Sequence, residues 1–249
     1  MTTSERPKFQ IGPPFQVARP PTFAMRLTPG VYELPLHVSM DDREATFRPV
    51  AVETPRGLLL IDVGLPEKLP VLEAALEEAG LELADVWGIV VTHQDPDHAG
   101  CLAAAVDRTD AVVFAHETEA PYLEGEKELV KSTEERPLSI DPTTVDVRLT
   151  GGETFATAAG PMKVVATPGH SPGHVSAYFP DAGLLLAADA LNVVDGELVG
   201  PRPEVTQDLD VAWESVETLA ELDVAETLCF HGGHVESGTD RIRELAADR

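Results

Sequence analysis

Thr92-His93-Gln94-Asp95-Pro96-Asp97-His98-Ala99-Gly100 is the stretch on which the reading of this chain turns. It follows residues 86–91, a nearly continuous apolar run of the kind that forms a buried strand. Four metal-competent side chains, His93, Asp95, Asp97 and His98, then fall within six residues. Along an extended loop His93 and Asp95 alternate, so both can face one point. Asp97 and His98 are adjacent and can face a second point as a helix begins, and Pro96 fixes the turn between the pairs. The chain has only eight histidines, so their crowding here argues for chemistry rather than accident.

Other apolar runs end in similar residues. The segment 163–167 reads as a strand that runs into Pro168-Gly169-His170, a tight turn presenting a histidine. Residues 184–188 lead to Asp189, 226–230 lead to His231-Gly232-Gly233-His234, and 57–61 lead to Asp62. Strand ends are where α/β architectures place their sites. Further strands are expected at 31–38, 47–54, 111–115, 144–149 and 174–179, the last pairing with 183–187 as a hairpin. Helices are expected at 67–79, 98–106, 211–222 and 239–247 from their apolar spacing. Strands followed by helices, twice, predict two sheets packed face to face with helices outside. The charged segment 117–140 reads as solvated surface. Residues 1–28, rich in proline, read as an extended arm before a domain at 29–249.

In order and kind, these motifs resemble the metallo-β-lactamase-fold superfamily of metallohydrolases. The superfamily signature is His-x-His-x-Asp-His, and here His93-x-Asp95-x-Asp97-His98 carries aspartate at the second position. The resemblance implies an α/β fold, an αββα sandwich of two mixed β-sheets with helices on the outer faces, and a first metal held by His93, Asp95 and His170. It implies a second held by Asp97, His98 and His234, with Asp189 as bridge and His231 as the runner-up to His234. Asp62 would support the metal loops, and Asp97 and His98 would be the residues most sensitive to substitution. Two divalent ions about 3.5–4 Å apart can share a water and generate hydroxide at neutral pH. Zinc is the leading ion. Asp95 makes the centre less positive and its oxygen is a harder ligand than imidazole, which shifts the preference toward iron or manganese. His174 and His116 read as supporting or capping residues, and His37 has no evident partner.

The implied activity is hydrolysis of a small ester, lactone or thioester by a metal-bound hydroxide. An alternative is a mononuclear-iron oxidoreductase of the persulfide dioxygenase type, and a weaker one a phosphodiesterase or nuclease. The net charge of −25, from 43 acidic against 18 basic residues, argues against nucleic-acid and anionic-membrane partners and leaves a small-molecule substrate. Only five of the cations are lysine, and aromatics are 5%, a composition expected of a protein kept soluble in concentrated salt, as in a halophile. No apolar run approaches the roughly 20 residues of a membrane span, and no secretory h-region opens the chain, so a cytoplasmic setting is expected. Cys101 and Cys229 are far apart and read as core residues in a reducing compartment.

Overall fold

The computed structural model describes residues 24–40 and 43–249. The first half comprises β1 (Met25–Thr28), β2 (Val31–Glu33), β3 (Leu36–Met40), β4 (Arg43–Phe47), β5 (Val50–Thr54), β6 (Gly57–Ile61), α1 (Leu69–Glu78), β7 (Val86–Val91), α2 (Pro96–Ala99), α3 (Leu102–Thr109), β8 (Val112–His116) and α4 (Ala120–Leu123). The second comprises β9 (Val147–Leu149), β10 (Thr154–Thr157), β11 (Gly160–Ala166), β12 (Val175–Phe179), β13 (Leu184–Ala188), β14 (Asn192–Val194), β15 (Glu197–Val199), α5 (Leu209–Leu219), β16 (Glu226–Cys229), β17 (Gly233–Val235) and α6 (Thr239–Ala247). One sheet has the order β1-β2-β5-β6-β7-β8-β9 and the other β10-β11-β12-β13-β16-β17. Both are mixed: β6 to β9 run parallel in the first, and β13 with β16 in the second.

The αββα sandwich follows from alternation along the strands. On β6, Leu58 and Leu60 point outward to pack with Leu72 and Leu76 of α1 and Leu102 of α3. Leu59 and Ile61 point inward and meet Val164, Phe179, Leu186 and Leu228 of the facing sheet. On that sheet's outer face Leu185 and Cys229 pack with Val216 and Leu219 of α5 and Ile242 of α6. Burying each such side chain contributes about 1.5–3 kcal/mol, and a one-residue slip of register would turn every one of them to the wrong face.

Several boundaries differ from expectation. Pro35 splits the predicted strand 31–38, because it cannot donate to a ladder, and the chain turns into the β3–β4 hairpin instead. The predicted helix 98–106 is two short helices, α2 opening at Pro96 and α3 at Leu102. The expected Pro-rich arm falls outside the described residues up to 23, whereas Met25–Thr28 pairs with β2 as a strand. Segment 117–140 is only partly solvated surface: Glu119, Ala120, Leu123 and Leu129 are buried. The short strands β10, β14, β15 and β17 lack a strong apolar signature and were not expected.

The parallel pairing positions the site. The C-terminal ends of β6 and β7, and of β13 and β16 in the other sheet, open on the same edge of the sandwich, where Asp62, His93, Asp189 and His231 stand.

Candidate metal centre

His93 and His98 are fully buried side by side, their ring centroids 4.0 Å apart. The Asp62 carboxylate fixes this corner. It accepts from the Thr92 amide at 2.8 Å and the Thr92 hydroxyl at 2.7 Å, and lies 2.7 Å from His98 Nδ1. His98 Nδ1 is thereby occupied and Nε2 is aimed into the site, the carboxylate–histidine arrangement that orients a metal-binding imidazole. Asp62 adopts φ 61° to do this, a costly conformation of the kind that concentrates at functional sites. The Phe230 ring stacks on His98 at 3.6 Å and covers its far face.

Asp189 arrives through a second irregularity. A bulge on β13 sets Leu186 and Ala188 opposite Leu228 and Cys229, and Ala188 takes φ 47°. The turned backbone leaves the Asp189 carboxylate between three imidazoles: Oδ1 is 3.2 Å from His98 Nε2, while Oδ2 is 3.3 Å from His170 Nε2 and 3.4 Å from His231 Nε2. His174 supports it, with Nε2 accepting from the Asp189 amide at 3.1 Å and Nδ1 paired with the Thr167 hydroxyl at 2.8 Å. His170 rides on the Pro168-Gly169 turn. Gly169 has φ 125°, and a Cβ there would collide with the Ala212 backbone of α5, so glycine is required for the turn to sit against that helix.

Asp95 Oδ2 lies 3.3 Å from His93 Nε2 and 3.2 Å from His170 Nε2, and Asp97 Oδ2 lies 3.2 Å from His231 Nε2. Donor atoms of three sets, His93/His98/Asp189, His93/Asp95/His170 and Asp97/His98/His231, each lie within 4.8 Å of one another. The charges respond to this crowding. Burial raises the Asp95 and Asp189 carboxyls, but the surrounding imidazoles outweigh it and hold both well below the usual range. Burial likewise opposes charge on His98 and His231, yet Asp189 with Asp62, and Asp189 with Asp97, lift them, His231 to about 9. His174 is driven the other way by burial and by His93, and stays neutral.

Of the expected ligands, six are brought together: His93, Asp95, Asp97, His98, His170 and Asp189. His234 is not among them. It lies on β17, where its Nε2 meets Glu226 at 2.8 Å. His231 stands there instead, since it directly follows Phe230 beyond the end of β16, whereas the glycines at 232 and 233, both at positive φ, turn the chain back into β17 before His234. Glycine before histidine points to His234; the strand end points to His231, and the geometry follows the strand end. Two further residues escaped the sequence reading. Glu119, fully buried, accepts from the Gln94 amide and side chain at 3.0 Å each, from Ser171 at 2.9 Å and from the Gly173 amide at 2.7 Å, tying the His93 and His170 loops together. Lys131 enters the site from the segment read as solvated. His116 caps a local turn through the Thr118 amide, and His37 pairs with Thr46 across the β3–β4 hairpin.

The residues fit a metal. Among the described residues, His93 Nε2, His98 Nε2 and Asp189 Oδ1 are buried with no hydrogen-bond partner, and all three converge on one point. Orphaned buried donors and acceptors are costly, and an ion satisfies all three at once.

Comparison with known proteins agrees. The family model described as the metallo-beta-lactamase superfamily matches residues 50–231. A probable metallo-hydrolase of Bacillus subtilis strain 168, YflN, is 28% identical over 202 residues, covering 72% of this chain and 76% of that protein. A hydroxyacylglutathione hydrolase of Rhizobium meliloti strain 1021 is 29% identical, with 69% of this chain and 56% of the relative covered. Among solved structures, a metallo-beta-lactamase family protein of Thermus thermophilus superposes with a TM-score of 0.72 at 26% identity, covering 90% of this chain and 80% of that one. The strand-end histidines and aspartates, the sandwich that carries them and the family match over most of the chain lead to one conclusion: this chain belongs to the metallo-beta-lactamase superfamily and is a metal-dependent hydrolase.

Proposed function

We propose that the chain hydrolyses a small acyl compound, a thioester before an ester or lactone. The observation that carries the reading is the convergence of His93 Nε2, His98 Nε2 and Asp189 Oδ1, all buried and without a hydrogen bond, at the edge where both sheets end. The preference for a thioester is supported by relatives named hydroxyacylglutathione hydrolase at 27–29% identity. More than a third of the Rhizobium meliloti relative lies outside the match, so the glutathione moiety itself is not carried over.

A bound divalent ion supplies a nucleophile at neutral pH by acidifying its water, and polarises the carbonyl. The chain does the rest. Asp97, His98 and His231, with Asp189, offer donors from three strand ends to one ion. Asp62 holds the His98 ring in register, and His174 holds the Asp189 backbone. Phe230 and the buried Thr92 close the inner wall against water. The donors are imidazole and carboxylate without thiolate, which suits zinc first, then iron or manganese.

The test is to strip the protein with a chelator, restore zinc, iron or manganese, and assay thioesters, aryl esters, lactones and phosphodiesters. Thioester hydrolysis should return with metal and disappear in a folded His98→Ala variant. Turnover of phosphodiesters alone, or oxygen uptake by the iron form without hydrolysis, would refute the proposal and favour the nuclease or oxidoreductase alternative respectively.

A further inference from the structure

Lys131 is the unexpected member of the centre. Its Nζ lies 2.5 Å from Asp95 Oδ2 and 2.6 Å from His170 Nε2, two of the three donors that the family resemblance assigns to a first metal. The ammonium is not a loose surface group that has fallen inward. The amide of its neighbour Val130 donates to Gln94 Oε1 at 2.7 Å, and Gln94, between His93 and Asp95 in sequence, is itself clamped by buried Glu119. Leu129 is buried on the other side of Val130, and the Ser132 amide donates back to the Leu129 carbonyl at 2.9 Å. The backbone next to Lys131 is therefore pinned to the same loop that carries the ligands, and only 20% of the lysine side chain is exposed.

We propose that the Lys131 ammonium takes the place of one of the two metals, so that the chain holds a single divalent ion, on His98 and Asp189 with His93, Asp97 and His231 around them, and a built-in organic cation at Asp95 and His170. The inference rests on the metal-centre reading above. Three physical arguments support it. An ion bound to Asp95 and His170 at about 2.0–2.2 Å would fall on the ammonium, because both would approach the same two donor atoms. A lysine ammonium has three donors and no lone pair, so in contact with His170 Nε2 it must donate, which consumes the electron pair a metal would use. Charge also balances: one divalent ion and one ammonium offset the carboxylates of Asp95, Asp97 and Asp189, whereas a second divalent ion would press directly against a like charge at contact distance. Aspartate at position 95 then has its own explanation. A carboxylate suits an ammonium partner, where a histidine would suit a metal.

The decisive experiment counts metal. Protein stripped with a chelator is saturated with zinc, desalted, and its zinc measured by mass spectrometry against protein concentration, with circular dichroism confirming the fold of each variant. One ion per chain is expected for the wild type and for Lys131→Arg, which keeps the cation. Two are expected for Lys131→Met and for Lys131→Gln, which free Asp95 and His170. Two ions in the wild type, or one in both folded neutral variants, would overturn the role of Lys131 while leaving the metal centre standing. No ion in the wild type would overturn the metal centre, and this inference with it.

Discussion

At the scale of the residue, the centre depends on side chains whose second polar atom is already spoken for. His98 is the clearest case: Asp62 occupies Nδ1 at 2.7 Å, and Nε2 is left aimed into the site. Asp62→Asn keeps the shape but removes the charge that fixes the ring. Its zinc affinity should fall by roughly 10–100-fold with melting temperature little changed, as measured by competition with a metal-binding dye; unchanged affinity would show that Asp62 serves only the fold. Much of this chemistry was legible in the sequence, because His93, Asp95, Asp97 and His98 announce themselves by density. His231 against His234 was not settled by spacing, since both flank the same glycine pair; only the end of β16 and the return into β17 separate them. Lys131 was invisible for another reason. It lies 33 residues beyond His98 in a run of charges, and its role arises from Gln94 and Glu119 reaching across to its loop.

At the scale of the element, strands with strong apolar runs, β6, β7, β13 and β16, formed close to where those runs placed them. Short edge strands such as β10 and β17 did not show, because their neighbours rather than their own side chains make them strands. The entry to the first sheet also holds a cost hidden from sequence. Glu33 at the end of β2 and Arg48 before β5 form a buried pair at 2.8 Å, with side chains only 3% and 4% exposed. Burial raises the Glu33 carboxyl, and Arg48 lowers it only in part. A carboxyl raised in the fold binds its proton more tightly there than in the unfolded chain, so its contribution to stability falls as pH rises through that window. Arg48→Met widens the window. The variant should lose about 3–5 kcal/mol at neutral pH, and the loss should shrink as the pH falls toward the ordinary glutamate value of 4.5, because Glu33 takes up its proton in the fold above that value. Denaturant melts at both pH values check this, and an equal loss at both would contradict it.

At the scale of the whole molecule, two sheets each supply half of a centre that neither can form alone. The first brings Asp62, His93, Asp95, Asp97 and His98; the second brings His170, Asp189 and His231. The overall charge of −25 plays little part in this, and nothing in the relatives supports the salt-adapted origin that composition suggested. None of the described helices is long and apolar enough to cross a membrane. The claim on which everything else stands is that strand ends from both sheets share one metal ion, with His231 and not His234 as the donor beyond β16. Calorimetric zinc titration of the wild type, His231→Ala and His234→Ala tests it directly. His231→Ala should lose high-affinity binding and His234→Ala should match the wild type; the reverse order, or an equal loss in both, would contradict it.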